Sequence, residues 1–336
     1  MPISIKWLAV AAFGLFGAQA AMADITIYSG QHKVGTEAVA KAFTEATGIK
    51  VTIKLGSSEQ MAGQLVEEGT RTPADVFWAE QIPPQLALSE KGLLARLPAD
   101  VIAATSGTGY ESVPRAVGAD WVATSGRARV VVYRPDLIGK DELAHSVLDY
   151  ATSQWKGKVG YVPTSGAFLE QVIAITKLRS ADVALDWLRG LKENQKAYAK
   201  NAVALSAVER GEIPLALINN YYWDNMVREA GSVDKVRSRL AFVGHKDPGA
   251  LMTYASISVL QHSRHQDEAM KFVGFVVSRE GQQVFSSVRA EYPLRADVTS
   301  AYEMVPYAEI DPPVVSASTF EDKQNATRLL ERAGLK

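Results

Sequence analysis

The chain has 336 residues, a length typical of about two domains, and its 36 Lys and Arg residues nearly balance 37 Asp and Glu residues. This balance argues against a nucleic-acid partner, because nucleic-acid-binding proteins usually present a basic face. The chain contains no Cys, which excludes disulfides, thiolate metal ligands and cysteine nucleophiles, so its stability must come from a buried core.

The N-terminus has the pattern of an export signal. Lys6 precedes the apolar stretch "WLAVAAFGLFG" at 7–17, which is too short to span a bilayer comfortably. The tripeptide "AMA" that ends at Ala23 is typical of a cleavage site, so residues 1–23 are predicted to be a signal peptide cleaved after Ala23. A membrane anchor is the alternative, and the short apolar core argues against it. We therefore expect an exported protein.

Strand-like and helix-like segments alternate after the signal. Ser57 and Gln60 have the spacing of a capping box at the start of one helix. The pattern predicts, in order, a strand over 24–28, a helix over 34–46, a strand over 49–55, a helix over 57–69 and a strand over 74–79. Such a βαβαβ run is typical of an α/β fold, with a mostly parallel sheet covered by helices on both faces.

The α/β pattern resumes in the second half of the chain. It predicts a strand over 158–162, helices over 166–178, 181–194 and 203–211, a strand over 213–219 and a helix over 221–231. Long strands are predicted before and after this unit, at 126–133 and 249–260, and each is expected to cross between the two units. The helix predicted over 268–278 then packs on the first unit, and an amphipathic helix over 320–333 ends the chain.

Two crossings predict two lobes joined by a hinge. Residues 24–127 and 252–303 would form the first lobe, and residues 128–251 and 304–336 would form the second. Ends of strands and starts of helices face the cleft between such lobes, so a ligand is expected there. Closure of the lobes over the ligand is the usual behaviour of this architecture.

Three strand-to-helix exits carry side chains that could meet in the cleft. These side chains are His32 after the first strand, Glu80 and Gln81 after the third strand, and Tyr221 with Tyr222 after the strand predicted over 213–219. Neighbouring residues point to opposite sides of a strand, but at a helix start they diverge by about 100°. Two adjacent phenols can therefore face the same point only in the first turn of a helix.

The donor types indicate which metal would suit the site. One imidazole, one carboxylate and two phenols offer one nitrogen and three oxygens, and the three oxygens can be anionic. Oxygen donors match hard cations, and imidazole also binds iron. A free phenol has a pKa of about 10, so only a strongly charged cation displaces both protons near neutral pH. Fe³⁺ is favoured, because zinc usually takes His and Cys while calcium takes several carboxylates and carbonyls.

Each candidate also has a plain structural interpretation. The two tyrosines could be core aromatics, His32 a loop residue and Glu80 a cap of the following segment, and taken singly these interpretations are favoured. Their shared topological position favours a site instead. Ser165 and Gly166 open a helix directly after a strand, where free N–H groups form either an anion site or an ordinary N-cap.

The sequence resembles the bacterial periplasmic ferric-ion-binding proteins, the solute receptors of iron ABC transporters, which are similar in architecture to one transferrin lobe. The segments that carry the resemblance are spread over the whole chain after the predicted signal. They are "YSGQHK", "TPADVFWAEQ", "GRARVVVY", "KGKVGYVPTSGAFLEQV", "KNAVAL", "ALINNYYW", "DPGAL" and "AEYPLRADV". The resemblance implies a class II periplasmic-binding-protein fold in the periplasm. It also implies a monomer that is not an enzyme, binds no nucleic acid and docks on an inner-membrane ABC permease.

The resemblance also implies a ligand set for the iron. His32 and Glu80 would bind Fe³⁺ from the first lobe, and the tyrosine pair, Tyr221 and Tyr222, would bind it from the second. A synergistic anion, phosphate or carbonate-like, would share the ion and contact Gln81, Ser165, Gly166, Ala167, Asn201 and Asn219.

Two other functions remain open at this point. The same fold could carry sulfate, a polyamine or thiamine, with the anion pocket as the main site and the tyrosines as its walls. A secreted iron- or zinc-dependent hydrolase would need an open metal position with a general base beside it. No second base is evident near these motifs, which argues against the enzyme.

Overall fold

The structure is a computed structural model that describes residues 23–105 and 113–336. The predicted signal peptide, apart from its last residue, therefore lies outside the described residues. Within these two ranges, no helix is both long and apolar enough to cross a membrane.

The described residues form strands and helices in alternation, joined by loops and single 3₁₀ turns. The strands are β1 (Ile25–Ser29), β2 (Val51–Leu55), β3 (Val76–Ala79), β4 (Val122–Tyr133), β5 (Val159–Tyr161), β6 (Lys196–Ala197), β7 (Leu215–Asn219), β8 (Arg239–Ala241), β9 (Met252–Val259) and β10 (Tyr292–Pro293). The helices are α1 (Lys33–Thr47), α2 (Ser58–Glu68), α3 (Ile82–Ser89), α4 (Ala99–Ala103), α5 (Gly166–Leu178), α6 (Ala181–Asn194), α7 (Asn201–Glu209), α8 (Asn220–Ala230), α9 (Gln266–Val277), α10 (Arg279–Val288), α11 (Tyr307–Ile310) and α12 (Lys323–Arg332).

Most predicted elements are confirmed, and the capping box at Ser57 is present with both of its hydrogen bonds. The helix expected over 203–211 is displaced, because it begins at Asn201 and the chain leaves it before Gly211, whose φ of 77° is left-handed. Four of the helices, α3, α4, α10 and α11, were not predicted. The prolines at the start of α3 hid it, although proline is well tolerated in a first helical turn.

The sheet of the first lobe is built around β1, which pairs in parallel with both β2 and β3. This confirms the predicted βαβαβ unit. The sheet then becomes mixed, because β9 runs antiparallel to β3 and β4 runs antiparallel to β9. In the second lobe, β4 pairs antiparallel with β7, and β5 runs parallel to β7 and β6. The expectation of a mostly parallel sheet therefore holds only for parts of each lobe.

Strand β4 belongs to both sheets. Its first half, Val122–Ala128, pairs with β9, and its second half, Arg129–Tyr133, pairs with β7. The chain returns beside it, since the N–H of Arg129 donates to the carbonyl of Leu251 at 2.9 Å, one residue before β9. The two-lobed architecture with two crossing segments is thus confirmed, and the ends of β1, β3 and β7 face the space between the lobes.

The first lobe has its own aromatic core behind the β1–β3 sheet. Phe272 of α9 packs edge-on against Phe43 of α1, with ring centroids 5.1 Å apart, and lies 6.3 Å from the ring of Trp78. All three side chains are fully buried. Helices α1 and α9 are therefore held on one face of the sheet by the same aromatic contacts.

Replacing Phe272 by Ala should lower the free energy of unfolding by about 3–5 kcal/mol, because it removes buried area and leaves a cavity. Urea unfolding of the purified protein, followed by circular dichroism, would measure the change. Val314→Ala, at an exposed position, is the matched control and should shift the midpoint little. An unchanged midpoint for Phe272→Ala would contradict this account of the core.

Candidate metal centre

The four predicted metal ligands lie at the carboxyl ends of three strands. His32 precedes α1 just after β1, Glu80 follows β3 directly, and the tyrosine pair occupies the first turn of α8 after β7. At this edge of an α/β sheet, side chains converge on the crevice between strand ends. The arrangement follows from where each strand stops and the next helix begins.

Local packing fixes the exits of β1 and β3 together. A Cβ atom at Gly30 would lie only 2.3 Å from Ser58 Oγ, so the glycine lets the β1 exit approach the start of α2. Ser58 Oγ in turn accepts a hydrogen bond from the N–H of Glu80 at 2.9 Å. The backbone that carries Glu80 is therefore anchored beside the backbone that carries His32.

The donor atoms of these residues lie close together. Glu80 Oε1 is 3.4 Å from His32 Nε2 and 3.5 Å from the hydroxyl of Tyr221. The rings of Tyr221 and Tyr222 are 4.2 Å apart between centroids and inclined by 31°. His32 Nε2 is buried and makes no aligned hydrogen bond with any described residue. An imidazole nitrogen that lies beside a carboxylate without an aligned hydrogen bond to a described residue, next to two phenols, is a donor set that suits a cation.

The surroundings of the site shift the pKa of Glu80 and the pKa of Tyr221 in opposite directions. Burial opposes ionisation of Glu80, but the neighbouring His32 imidazole and Arg127 guanidinium outweigh it and lower the pKa of Glu80 to about 2. Burial and the negative charge of Glu80 raise the pKa of Tyr221 well above its ordinary value of 10.0. Glu80 is therefore ionised at neutral pH, whereas Tyr221 keeps its proton unless a cation displaces it.

Two buried arginines on β4 support the site, and the sequence prediction missed them. Arg127 Nη1 lies 2.8 Å from Glu80 Oε1, and its other terminal nitrogen donates to the carbonyl oxygen of Glu80. Arg129 donates to the amide oxygen of Asn219 at 2.9 Å, and burial lowers the pKa of Arg129 to about 10. Two charges at alternate positions within the apolar run "RARVVVY" were the available signal, because buried charges need partners.

Two further charged side chains, Glu291 and Arg289, lie beside His32 and Tyr221. Glu291 Oε2 accepts a hydrogen bond from Ser125 at 2.6 Å, and Glu291 Oε1 is 3.9 Å from His32 Nε2. The guanidinium of Arg289 lies 5.1 Å from the centre of the Tyr221 ring. These groups come from the segment that leads into β10, so the first lobe contacts the tyrosine pair at a second place.

A cleft of about 280 Å³ opens beside the donor cluster and contains most of the predicted site. The predicted residues that line it are Glu80, Gln81, Ser165, Gly166, Asn201, Tyr221 and Tyr222. His32, Ala167 and Asn219 are not part of this lining, and Asn219 instead binds Arg129. The cleft is thus bounded by both lobes.

The second-lobe wall of the cleft is formed by the N-termini of α5 and α7. Ser165 precedes α5, and the amide of Asn201 donates to its hydroxyl at 3.4 Å. Asn201 Oδ1 is buried and has no hydrogen-bond partner among the described residues. A Cβ atom at Gly166 would lie 2.6 Å from Gln81 Nε2, so the glycine allows the first lobe to approach this wall. The free N–H groups of two helix starts suit an anion.

Among the described residues, His32 and Glu80 are not joined by enough donors of their own kind to form a metal site. Within residues 23–105 and 113–336, no group of three or more His, Cys, Asp or Glu side chains could hold a metal ion. A metal site at His32 and Glu80 would therefore need donors of another type, such as the neighbouring phenols.

A carboxyl group also lies buried at the contact between the lobes. Glu170 of α5 accepts a hydrogen bond at 3.4 Å from the N–H of Ile82, at the start of α3. Its second oxygen is buried without a hydrogen-bond partner among the described residues. Burial raises the pKa of Glu170 to about 8, against the partly opposing charge of Arg127. Glu170 is therefore held mainly in its neutral form at pH 7.

The fold and the interlobe cleft define a solute receptor. The chain belongs to the bacterial extracellular solute-binding protein family, whose model matches residues 29–283. This membership confirms that the protein is a binding protein and not an enzyme.

The chain is 55% identical over 336 residues to the major ferric iron-binding protein of Neisseria meningitidis serogroup A, and the match covers all of both chains. It is 33% identical over 324 residues to the Fe(3+)-binding periplasmic protein of Serratia marcescens, covering 95% of this chain and 94% of that one. The crystal structure of iron-bound HitA from Pseudomonas aeruginosa superposes with a TM-score of 0.87 at 41% identity, covering 94% of this chain and all of that chain. The resemblance read from the motifs is confirmed.

The substitution Glu170→Gln should stabilise the iron-free protein at neutral pH. The pKa of Glu170 rises from 4.5 to about 8 on folding, so between these values the folded state keeps a proton that the unfolded state has lost. Wild-type stability therefore falls as pH rises through this range. The amide removes this dependence and should raise the free energy of unfolding at pH 7 by roughly 2 kcal/mol.

Urea unfolding at several pH values between 5 and 8 would test this effect. Glu193→Gln, at an exposed position on α6, should follow the wild-type profile. Parallel profiles for Glu170→Gln and wild type would show that Glu170 is ionised in the folded protein.

Proposed function

We propose that this protein captures Fe³⁺ in the periplasm and delivers it to an inner-membrane ABC permease. The observation that carries the proposal is the pair of phenols at the start of α8, which faces the Glu80 carboxylate and the His32 imidazole from the other lobe. The names of the relatives from Neisseria and Serratia, and the iron-bound HitA structure, support ferric iron as the cargo.

Charge balance supports the same cargo. The proposed ligands are His32, Glu80, Tyr221 and Tyr222, and one carboxylate with two phenolates offsets the charge of a trivalent ion. The raised pKa of Tyr221 means that a phenolate forms here only when a cation replaces its proton. A divalent cation attracts the phenol oxygens less strongly than a trivalent one and would displace both phenol protons less readily.

A synergistic anion, phosphate or carbonate-like, would occupy the cleft beside the iron. The N-termini of α5 and α7 support this part of the proposal, because they present N–H groups to the cavity next to the tyrosines. The proposed contacts are Gln81, Ser165, Gly166, Ala167, Asn201 and Asn219. Asn219 binds Arg129 in this structure, so its part in seating the anion includes holding that guanidinium.

Capture would proceed in two steps. The tyrosine pair and the anion first hold iron on the second lobe, and closure then adds His32 and Glu80 from the first lobe. We assign residues 24–127 and 252–303 to the first lobe and residues 128–251 and 304–336 to the second. The working form would be a monomer released by cleavage after Ala23.

The iron-loaded protein should have a visible absorption band from phenolate-to-iron charge transfer. The double substitution Tyr221→Phe with Tyr222→Phe should remove this band and most of the affinity, because phenylalanine keeps the ring and loses the oxygen. Titration with a ferric salt followed by absorption spectroscopy would measure both. Tyr302→Phe is the matched control and should keep the band, because Tyr302 does not line the cleft and its ring instead lies 4.4 Å from the Arg228 guanidinium. If the double variant retains the band, the site assignment is wrong.

Iron affinity should fall as the solution is acidified. A phenol must lose its proton to bind iron as phenolate, and burial keeps the pKa of Tyr221 well above 10.0 in the iron-free protein. Glu80, with a pKa of about 2, is already ionised and releases none. We expect the dissociation constant to rise roughly tenfold or more per pH unit between pH 8 and 6. Competition with a chelator of known protonation constants would measure it, and a constant affinity over this range would exclude phenolate ligands.

A further inference from the structure

One edge of β4 changes partner just where the two lobes meet. On this edge, the pairing of β7 with β4 ends at Arg129, which lies opposite Asn219. The pairing of β10 with β4 covers Ser125 and Gly126, and Gly126 lies opposite Tyr292. Ala128 lies between these two pairings. The antiparallel register places residue 220 opposite Ala128, but the chain has already turned into α8 there. The strand β7 therefore offers no backbone carbonyl to the N–H of Ala128.

The side chain of Asn220 fills this gap. Its Oδ1 accepts the N–H of Ala128 at 2.9 Å, and its Nδ2 donates to the carbonyl of Ala290 at 3.2 Å. The same Nδ2 donates to Asp224 Oδ2, one turn along α8, at 2.8 Å. Asn220 is only 1% exposed. A buried backbone N–H without an acceptor is costly, so this side chain replaces a missing strand residue.

These bonds connect three parts of the proposed iron site. Asn220 directly precedes the tyrosine pair, and Ala128 lies on the crossing strand between Arg127 and Arg129, which bind the site from either lobe. Ala290 precedes Glu291, whose carboxylate lies beside His32. A rotation of α8 about its first turn would break the contact with β4 or with the segment before β10.

We propose that Asn220 is a positioning residue for iron capture, which sets the tyrosine pair in register with the first-lobe ligands. The inference rests on the proposed function. Asn220 does not line the cleft and would not touch iron or anion. It acts by fixing the first residue of α8 on β4, so that the phenol oxygens approach Glu80 and His32 when the lobes close. Asparagine suits this place because one side chain must both accept and donate.

The test compares Asn220→Leu, Asn220→Asp and the control Asn225→Leu on the same helix. Leucine has a similar size and removes the bonds to Ala128, Ala290 and Asp224, whereas aspartate keeps an acceptor for Ala128 and loses the donor to both Ala290 and Asp224. We expect Asn220→Leu to weaken iron binding roughly 10–100-fold and to shift the charge-transfer band, with Asn220→Asp in between. Asn225→Leu should match wild type. A purely structural role would lower the melting temperature and leave the band of the folded protein in place.

Amide hydrogen exchange of the iron-free proteins tests the bridge directly. Exchange at Ala128 should be faster in Asn220→Leu than in wild type and nearly unchanged in Asn220→Asp. If Asn220→Leu does not fold, the Asn220→Asp variant tests the inference instead. Wild-type iron affinity and a wild-type charge-transfer band in Asn220→Asp would then overturn it. The same result for a folded Asn220→Leu would also overturn it. If wild type itself shows no band, the proposed function fails and this inference fails with it.

Discussion

The structure depends on one constraint, which is that β4 is a single strand shared by two sheets. Its first half pairs with β9 and its second half with β7, so the two lobes cannot be placed independently of each other. Arg127 lies on the first-lobe half and Arg129 on the second-lobe half, and each guanidinium reaches a residue of the proposed iron site. The relative positions of the residues on the two sides of the cleft therefore depend on the backbone of β4. Small changes in the twist of this strand would move the two sets of ligands relative to each other.

The charges around the cleft are arranged so that the site is stable before iron arrives. Arg127 pairs with Glu80 and keeps this carboxylate ionised, although burial opposes it. Burial keeps Tyr221 protonated, so the iron-free cleft does not add a phenolate charge to that of Glu80. Fe³⁺ would then exchange with protons on the phenols while Glu80 needs no change of charge. Because only the phenols exchange protons for iron, the iron affinity would depend on the pH around the protein.

Much of the fold was predictable because each element carries its own local signal. Helix α5 follows the predicted bounds of 166–178 and α6 follows those of 181–194, since their apolar spacing and end residues agree. The unpredicted helix α3 is held by contacts with the second lobe, such as the bond from Ile82 to Glu170, which no local pattern reveals. The exits that carry His32, Glu80 and the tyrosine pair were found because the strand ends of both lobes face the cleft between them. The supporting arginines were not found, because their partners Glu80 and Asn219 lie 47 and 90 positions away in the chain.

The amino-acid sequence by itself determined the kind of chemistry that this protein offers. Adjacent phenols at a helix start, with a histidine and a glutamate at two other strand exits, define the donor types before any folding is known. Only the tertiary structure decided which of these donors share one point and which neighbours set their charge. It placed Asn219 on Arg129 and outside the cavity lining, and it assigned to Asn220 the edge of β4 between β7 and β10. The physical reason is that propensity and spacing act over one or two turns, whereas burial and charge pairing arise between segments that meet only when the sheets form.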